Sequence, residues 1–215
     1  MIKYVLVDLD GTITDSYEGV TRSIEHALNY YNIPVGDRSS LRKYIGPPIT
    51  WSFKDAGVPE DLVAPAIEKY RERYNSVGLY EAEVYEGVPE MLKTLRENGK
   101  KLYLATSKPI GFAEKVMKYF KADTLMDGLY GAATDHSRNE KWQVIDYILE
   151  CEHITDKSEV LMLGDTRFDV EGANKCGIKT MGVLWGFGNR ESLEKEGASY
   201  IAETPEEAAR MILNL

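Results

Sequence analysis

The chain has 215 residues, 43% of them apolar, and a formal net charge of −9. Such an acidic chain lacks the basic face that binds duplex nucleic acid, and no apolar run is long enough to cross a bilayer, so we expect neither nucleic acid nor membrane as a partner. The predicted location is the cytoplasm, because the N-terminus shows no secretory signal and Cys151 and Cys176 are best interpreted as reduced thiols.

The first predicted strand, residues 4–10, begins with apolar side chains and ends in Asp8 and Asp10. A buried carboxylate without a partner loses its hydration, so two acids in this place are costly. Alternation along a strand puts both acids on one side of the chain, with Leu9 pointing away. The simplest alternative is that Asp8 and Asp10 only cap a turn. Otherwise the two acids need partners from elsewhere in the chain.

Residues 17–82 show helical periodicity and no convincing strand. Apolar side chains recur at helical spacing within 20–31, for example. A helical insert directly after a first strand is typical of a separate module. We therefore predict a helical domain at 16–84 and a core domain formed by 1–15 and 85–215.

From about residue 85 onward, short apolar runs alternate with helical patterns. The runs are nearly continuous, as expected for strands buried on both faces, and they lie at 101–107, 128–133, 159–165 and 178–186. Apolar residues at helical spacing occur between them, at 89–98, 112–120, 140–150 and 167–176. Together with the first strand, this alternation predicts an α/β fold with about five parallel strands and helices on both faces.

Polar side chains stand where the predicted strands end. In open parallel sheets, ligands bind at the carboxyl ends of the strands, which meet at one edge. Asp8 and Asp10 end the first strand, and later strand ends and a later helix start add Thr106, Ser107, Lys141, Asp165 and Asp169. Hard oxygen ligands suit Mg²⁺, and a carboxylate that attacks phosphorus forms an aspartyl-phosphate. These residues therefore favour Mg²⁺-dependent phosphoryl transfer.

Four motifs in this order resemble the signature of the haloacid dehalogenase (HAD) superfamily. They are DLDGT (8–12), ATS (105–107), Lys141 and GDTRFD (164–169). The resemblance covers essentially the whole chain. It implies a Rossmann-like core, a helical C1-type cap inserted after the first strand, and phosphatase activity.

The same resemblance implies a role for each site residue. Asp8 would be the nucleophile, and Asp10 would protonate the leaving oxygen and then activate water. The phosphate would be held by Thr106, Ser107 and Lys141, and Mg²⁺ by Asp8, the main-chain carbonyl of Asp10, Asp165 and, directly or through water, Asp169. Ser107 departs from the pattern, because many members of the wider branch have Asn there.

Three segments resemble a 5′-nucleotidase-like subgroup within the phosphoglycolate-phosphatase-like branch: LRKYIGPPI (41–49), YRERYNSVGLYE (70–81) and KLYLATSKP (101–109). We therefore expect a monomer or homodimer that hydrolyses a small phosphorylated metabolite, with a nucleoside 5′-monophosphate as first choice. Phosphoglycolate is second, and the reaction of a β-phosphoglucomutase-like phosphomutase is third. Arg42 and Lys43 are the helical domain's best candidates for contacting an anionic substrate, unless they form only a solvated face.

Three alternatives remain open. Lys108 competes with Lys141 for the phosphate-binding role, because it directly follows the second strand motif. A receiver-like signalling protein also takes phosphate on an aspartate beside Mg²⁺, but it would be much shorter and would lack the helical insert. A phosphate-binding protein without turnover would not need the second acid of the Asp8 and Asp10 pair.

Overall fold

The computed structural model describes residues 1–133, 135 and 137–215. These residues form two units. The sheet unit consists of Met1–Asp15 and Val84–Leu215, and the helical unit consists of Ser16–Glu83. The sheet unit has the predicted α/β architecture, with six parallel strands in one sheet rather than about five.

The elements of the described residues follow in chain order. The strands are β1 (Tyr4–Val7), β2 (Thr14–Asp15), β3 (Glu83–Val84), β4 (Lys101–Pro109), β5 (Gly128–Ala132), β6 (Val160–Gly164), β7 (Lys179–Val183) and β8 (Tyr200–Ala202). The α-helices are α1 (Tyr17–Tyr30), α2 (Ile49–Asp55), α3 (Glu60–Ser76), α4 (Val88–Glu97), α5 (Ile110–Tyr119), α6 (Lys141–Cys151), α7 (Arg167–Cys176), α8 (Arg190–Glu196) and α9 (Pro205–Leu213). Short 3-10 helices lie at Arg38–Tyr44, Gly78–Tyr80, Asp123–Leu125 and Lys157–Glu159. None of the helices described is both long and apolar enough to pass through a bilayer.

β1 lies inside the large sheet, whose strand order is β5-β4-β1-β6-β7-β8. Its last residue, Val7, is fully buried and is in register with Leu104 of β4 and Leu163 of β6. The chain builds β4 and β5 on one side of β1 and then crosses to build β6, β7 and β8 on the other side. Ligand sites of such sheets lie outside the carboxyl ends of the strands, where the order reverses. The residues that follow β1, β4 and β6 are therefore neighbours.

The sixth strand and the last two helices, α8 and α9, are not predicted from the sequence. β8 has only three residues, so it offers too short an apolar run to be recognised. It extends the sheet by pairing with β7, and α9 packs against α4. In addition, β4 continues to Pro109 instead of ending at residue 107. The first strand ends at Val7 instead of residue 10, so Asp8 and Asp10 follow the strand. The central strands that carry the motifs are thus present where predicted, with shifted ends.

The helical unit is built from α1, α2, α3 and two of the 3-10 helices. α1 buries an apolar face that includes Val20, Ile24 and Ala27. Gly19 and Gly78 allow α1 and the second 3-10 helix to approach closely, because a Cβ added to Gly19 would lie 2.0 Å from the carbonyl oxygen of Gly78. The chain passes between the units through β2 and β3, which pair as a separate two-stranded sheet.

Candidate active site

Three strand ends bring the predicted motifs together at one edge of the sheet. Asp8 directly follows β1, Thr106 lies near the end of β4, and Asp165 directly follows β6. The backbone N–H of Asp8 donates to the carbonyl of Leu163 at 2.9 Å, which ties the end of β1 to the end of β6. The pairing of parallel strands thus places residues that are far apart in sequence side by side.

Four charged side chains form what we call the buried cluster: Asp8, Lys141, Asp165 and Asp169. None of these residues is more than 5% exposed. Nζ of Lys141, the first residue of α6, lies 2.8 Å from Asp8 Oδ1 and 2.7 Å from Asp169 Oδ1. It also donates a hydrogen bond to the carbonyl of Ala105 at 2.9 Å. One ammonium group therefore joins the residue after β1 to the first turn of α7.

Asp169 is fixed by the start of α7. Its Oδ2 accepts hydrogen bonds from the backbone N–H of Thr166 at 3.0 Å and from the Thr166 hydroxyl at 2.9 Å. The Thr166 side chain in turn accepts from the backbone N–H of Asp169, which completes a capping box. Gly164 leaves the room for this arrangement, because a Cβ there would lie 2.3 Å from Asp169 Cγ. Asp169 therefore holds Lys141 with one oxygen and the helix start with the other.

Asp165 lies in a cradle of closely approaching backbone. The N–H of Phe187 donates to Asp165 Oδ2 at 2.7 Å, and the Thr12 hydroxyl donates to Oδ1 at 3.4 Å. A Cβ on Gly11 would lie 2.1 Å from Asp165 Oδ2, and one on Gly186 would lie 2.4 Å from Asp165 Cβ. The contact of the Phe187 amide with Asp165 is not predicted from the sequence. The glycine before it is the signal that marks this approach.

Asp10 and Lys108 form an ion pair of their own. Lys108 Nζ lies 2.8 Å from Asp10 Oδ1. Thr106 is buried, and its hydroxyl oxygen accepts the backbone N–H of Lys108 at 3.2 Å, while Ser107 is half-buried. The two lysines that are candidates for the phosphate-binding role thus contact different acids, since Lys141 contacts Asp8 and Lys108 contacts Asp10.

Burial and mutual repulsion change the acidity of the cluster. Burial raises the pKa of Asp8 to about 7, with Lys141 lowering it and Asp169 raising it further. Burial also raises the pKa of Asp165 well above its ordinary value, and the charges of Asp169 and Asp8 add to this rise. Burial acts to lower the pKa of Lys141, but the adjacent carboxylates outweigh it and raise that pKa. The cluster is therefore short of positive charge.

The buried cluster fits a divalent cation. Asp8, Asp165 and Asp169 each offer an oxygen, and these oxygens lie within 4.8 Å of one another. Asp8 Oδ1 and Asp169 Oδ1 are both buried and share the single ammonium group of Lys141. Three carboxylates beside one ammonium group leave negative charge that a hard cation such as Mg²⁺ would neutralise. The Asp10 carboxylate does not contribute to this group of oxygens.

The candidate residues of the helical unit lie on its first 3-10 helix. Arg42 and Lys43 are both exposed. Lys43 Nζ lies 2.8 Å from Asp55 Oδ2 and stands over the ring of Tyr44, 4.8 Å from its centroid. The contact of Arg42 and Lys43 with a substrate remains a prediction.

A family model described as haloacid dehalogenase-like hydrolase matches residues 5–183. The chain belongs to this family. It is 39% identical over 190 residues to the 5′-nucleotidase of Pseudomonas aeruginosa, and the match covers 88% of this chain and 86% of the relative. It is also 32% identical over 198 residues to the tyrosine-protein kinase PtkA of Mycobacterium tuberculosis, and this match covers 92% of this chain and 67% of the relative.

The same conclusion follows from a solved structure. A predicted phosphatase from Clostridium acetobutylicum has a TM-score of 0.96 to this chain at 38% identity, and the match covers 100% of both chains. The resemblance drawn from the four motifs is therefore confirmed. This haloacid dehalogenase-like hydrolase is a phosphatase that acts on phosphoric monoesters. The receiver-like alternative and the phosphate-binding protein without turnover are set aside.

Proposed function

We propose that the protein is a Mg²⁺-dependent, 5′-nucleotidase-like phosphatase that acts through an aspartyl-phosphate on Asp8. The observation that carries this proposal is the buried cluster, in which Asp8 is held by Lys141 beside two further acids. Buried ion pairs add little net stability, because desolvation offsets their attraction. A cluster with excess negative charge is therefore better explained by catalysis than by folding.

In the first step, a carboxylate oxygen of Asp8 attacks the phosphorus, and the bond from phosphorus to the leaving oxygen breaks. Asp10 gives its proton to that oxygen, so that the alcohol leaves neutral. Lys141 and the Thr106 hydroxyl stabilise the charge on the transferring phosphoryl group, and Ser107 is the third predicted contact. Asp8, Asp165, Asp169 and the main-chain carbonyl of Asp10 would hold Mg²⁺, which would supply further positive charge beside the phosphoryl group.

In the second step, Asp10 is a carboxylate and takes a proton from a water molecule. The water oxygen forms a bond to phosphorus, and the bond from phosphorus to Asp8 breaks. Asp8 is then a carboxylate again and Asp10 is again an acid. One ester and one water are consumed, and one alcohol and one inorganic phosphate are released.

In this proposal the helical unit is the predicted cap domain, 16–84, and the sheet unit is the predicted core domain, 1–15 and 85–215. Arg42 and Lys43 stay the cap's candidates for contacting an anionic substrate. The predicted cytoplasmic location and the monomer or homodimer also belong to the proposal.

A nucleoside 5′-monophosphate is the proposed substrate. The support is the subgroup likeness of three segments and the 39% identity to a 5′-nucleotidase. Phosphoglycolate and the bisphosphate-dependent reaction of a phosphomutase are the competing choices. A mutase would show no net release of phosphate, and the phosphoglycolate choice would show a preference for the small carboxylate-bearing ester.

The test is a phosphate-release screen with Mg²⁺ against nucleoside monophosphates, phosphoglycolate and sugar phosphates, ranked by kcat/KM. We expect the highest value for a nucleoside 5′-monophosphate. A higher value for phosphoglycolate would replace the proposed substrate. Incubation with labelled ATP belongs in the same screen, because stable transfer of label to protein tyrosine would point to the kinase reaction instead.

The nucleophile is tested by Asp8→Asn, which keeps the shape of the side chain and removes its nucleophilic charge. We expect kcat to fall by at least about 10⁴-fold, because loss of a nucleophile removes the covalent route. Asp61→Asn, at an exposed acid of the helical unit, is the matched control and should keep full activity. Near-normal turnover by folded Asp8→Asn would contradict the mechanism.

A further inference from the structure

Asp10, which transfers the proton in the proposed mechanism, forms an ion pair with Lys108. Lys108 Nζ lies 2.8 Å from Asp10 Oδ1, and the side chains of Lys108 and Asp10 are only 7% and 11% exposed. Within the described part of the chain, Lys108 is the one charged group in hydrogen-bonding contact with the Asp10 carboxylate. Lys141 forms ion pairs with Asp8 and Asp169 in the buried cluster. The site therefore contains two lysines with different partners.

An irregularity in β4 places Lys108. Thr106 is in register with Gly131 of β5, but the next pair is Pro109 with Ala132, so the register shifts across residues 107 and 108. Such a bulge re-aims side chains and is common beside active sites. The Lys108 N–H donates to the Thr106 hydroxyl oxygen at 3.2 Å, which fixes the bulge from within.

Gly131 is also part of this arrangement. A Cβ added to Gly131 would lie 2.6 Å from the carbonyl oxygen of Lys108. The bulged backbone can therefore approach β5 this closely only because residue 131 is a glycine. Asp10 itself lies outside a regular strand, in the turn where Gly11 adopts a positive φ of 87°. A carboxylate on such a turn needs a partner to keep one orientation.

We propose that Lys108 is the positioning residue of Asp10, an inference that rests on the proposed function above. Its ammonium group donates to Oδ1 of Asp10, so that Oδ2 carries the proton in the acid form and takes it from water in the second step. This contact fixes the orientation of the side chain for the two proton transfers. Proton transfer requires the acid to lie within hydrogen-bonding distance of the reacting oxygen, and a freely rotating carboxylate loses that alignment. The competing role, a direct grip on the substrate phosphate, makes a different kinetic prediction.

The two roles are separated by the leaving group. An alkyl phosphate, such as the best nucleoside monophosphate of the screen, needs a proton on its leaving oxygen. p-Nitrophenyl phosphate does not, because its leaving group is a stable anion. Since kcat/KM reports steps up to departure of the alcohol, a defect in proton donation lowers kcat/KM for the alkyl ester alone. A weaker grip on phosphate lowers it equally for both esters.

The variant is Lys108→Met, and Lys101→Met on the same strand is its matched control, because Lys101 pairs with Asp127 at 3.0 Å and is 59% exposed. We expect Lys108→Met to lower kcat/KM for the alkyl ester about 100-fold, which is in the range of general acid catalysis. For p-nitrophenyl phosphate we expect less than about a fivefold fall in kcat/KM. The same variant should show a burst of p-nitrophenol followed by slow turnover, because Asp10 also activates the water.

Lys108→Arg keeps a cation and should restore part of the alkyl-ester activity. It also serves as the second variant if Lys108→Met does not fold, in which case the two esters are compared for Lys108→Arg. An equal fall for both esters, or no fall for either, would overturn the positioning role. Failure of the proposed function is distinguishable, because the unchanged protein would then hydrolyse neither ester or would keep its activity in Asp8→Asn.

Discussion

In the sheet unit, Lys141 lies between Asp8 and Asp169, and none of these side chains is more than 4% exposed. In the helical unit, Arg73 binds Glu81 through two hydrogen bonds of 2.7 and 2.9 Å, but these side chains are 20% and 28% exposed. The Arg73 pair belongs to what we call the helical-unit network: Glu18, Arg22, Arg38, Arg73 and Glu81.

The two sets of charges differ in what water does for them. Arg73 lowers the pKa of Glu81, as expected for an ordinary hydrated ion pair. In the buried cluster, loss of water dominates and raises the pKa of Asp8 despite the adjacent Lys141. The Arg73–Glu81 pair therefore keeps contact with solvent, whereas the charges of the buried cluster have lost it at the ends of the central strands.

The largest loss in the free energy of unfolding is expected when the ammonium group of the buried cluster is removed. Lys141→Met leaves buried carboxylates without their counter-charge, and breaking a buried pair from one side costs about 3–5 kcal/mol. Urea unfolding in the presence of a chelator measures this loss. The control, Lys101→Met, removes an exposed pair and should change the free energy of unfolding by less than about 1 kcal/mol. Equal losses for the two variants would erase the distinction between buried and hydrated charges.

A smaller effect is expected from the metal. Mg²⁺ that binds only the folded protein stabilises it by about 2.7 kcal/mol at 100 times its Kd. Thermal unfolding should therefore shift upward as Mg²⁺ is added. Asp165→Asn should lose most of this shift, because Asp165 is one of the three acids whose oxygens converge. Glu81→Gln, in the helical-unit network, should keep it. A full shift in Asp165→Asn would place the cation elsewhere.

The motif positions could be predicted because each stands at the end of an apolar run. Asp8, Thr106 and Asp165 follow such runs, and parallel pairing brings strand ends to one edge regardless of their separation in sequence. Lys141 could be placed at a helix start because apolar residues at helical spacing follow it. The family, the fold class and the phosphatase class follow from these positions.

The partners inside the site could not be predicted in this way. Asp10 and Lys108 are 98 residues apart, and their contact depends on a two-residue register shift in β4 that no periodicity reveals. The Phe187 amide carries no residue signature of its own, because it is a backbone donor, and Gly186 before it marks only the close approach to Asp165. β8 is missed for a simpler reason, since three residues are too few for a pattern.

The smallest effect is expected in the helical-unit network. A double-mutant cycle with Arg73→Met and Glu81→Gln should give a coupling energy of about 1 kcal/mol or less, because both partners stay hydrated. At about 1 M salt the Debye length is about 3 Å, so the coupling should shrink further. Urea unfolding of the four proteins at low and high salt measures both values. A coupling of about 3 kcal/mol that is insensitive to salt would mean that this pair is as desolvated as Lys141 and Asp8, and the contrast between the two units would then no longer identify the active site.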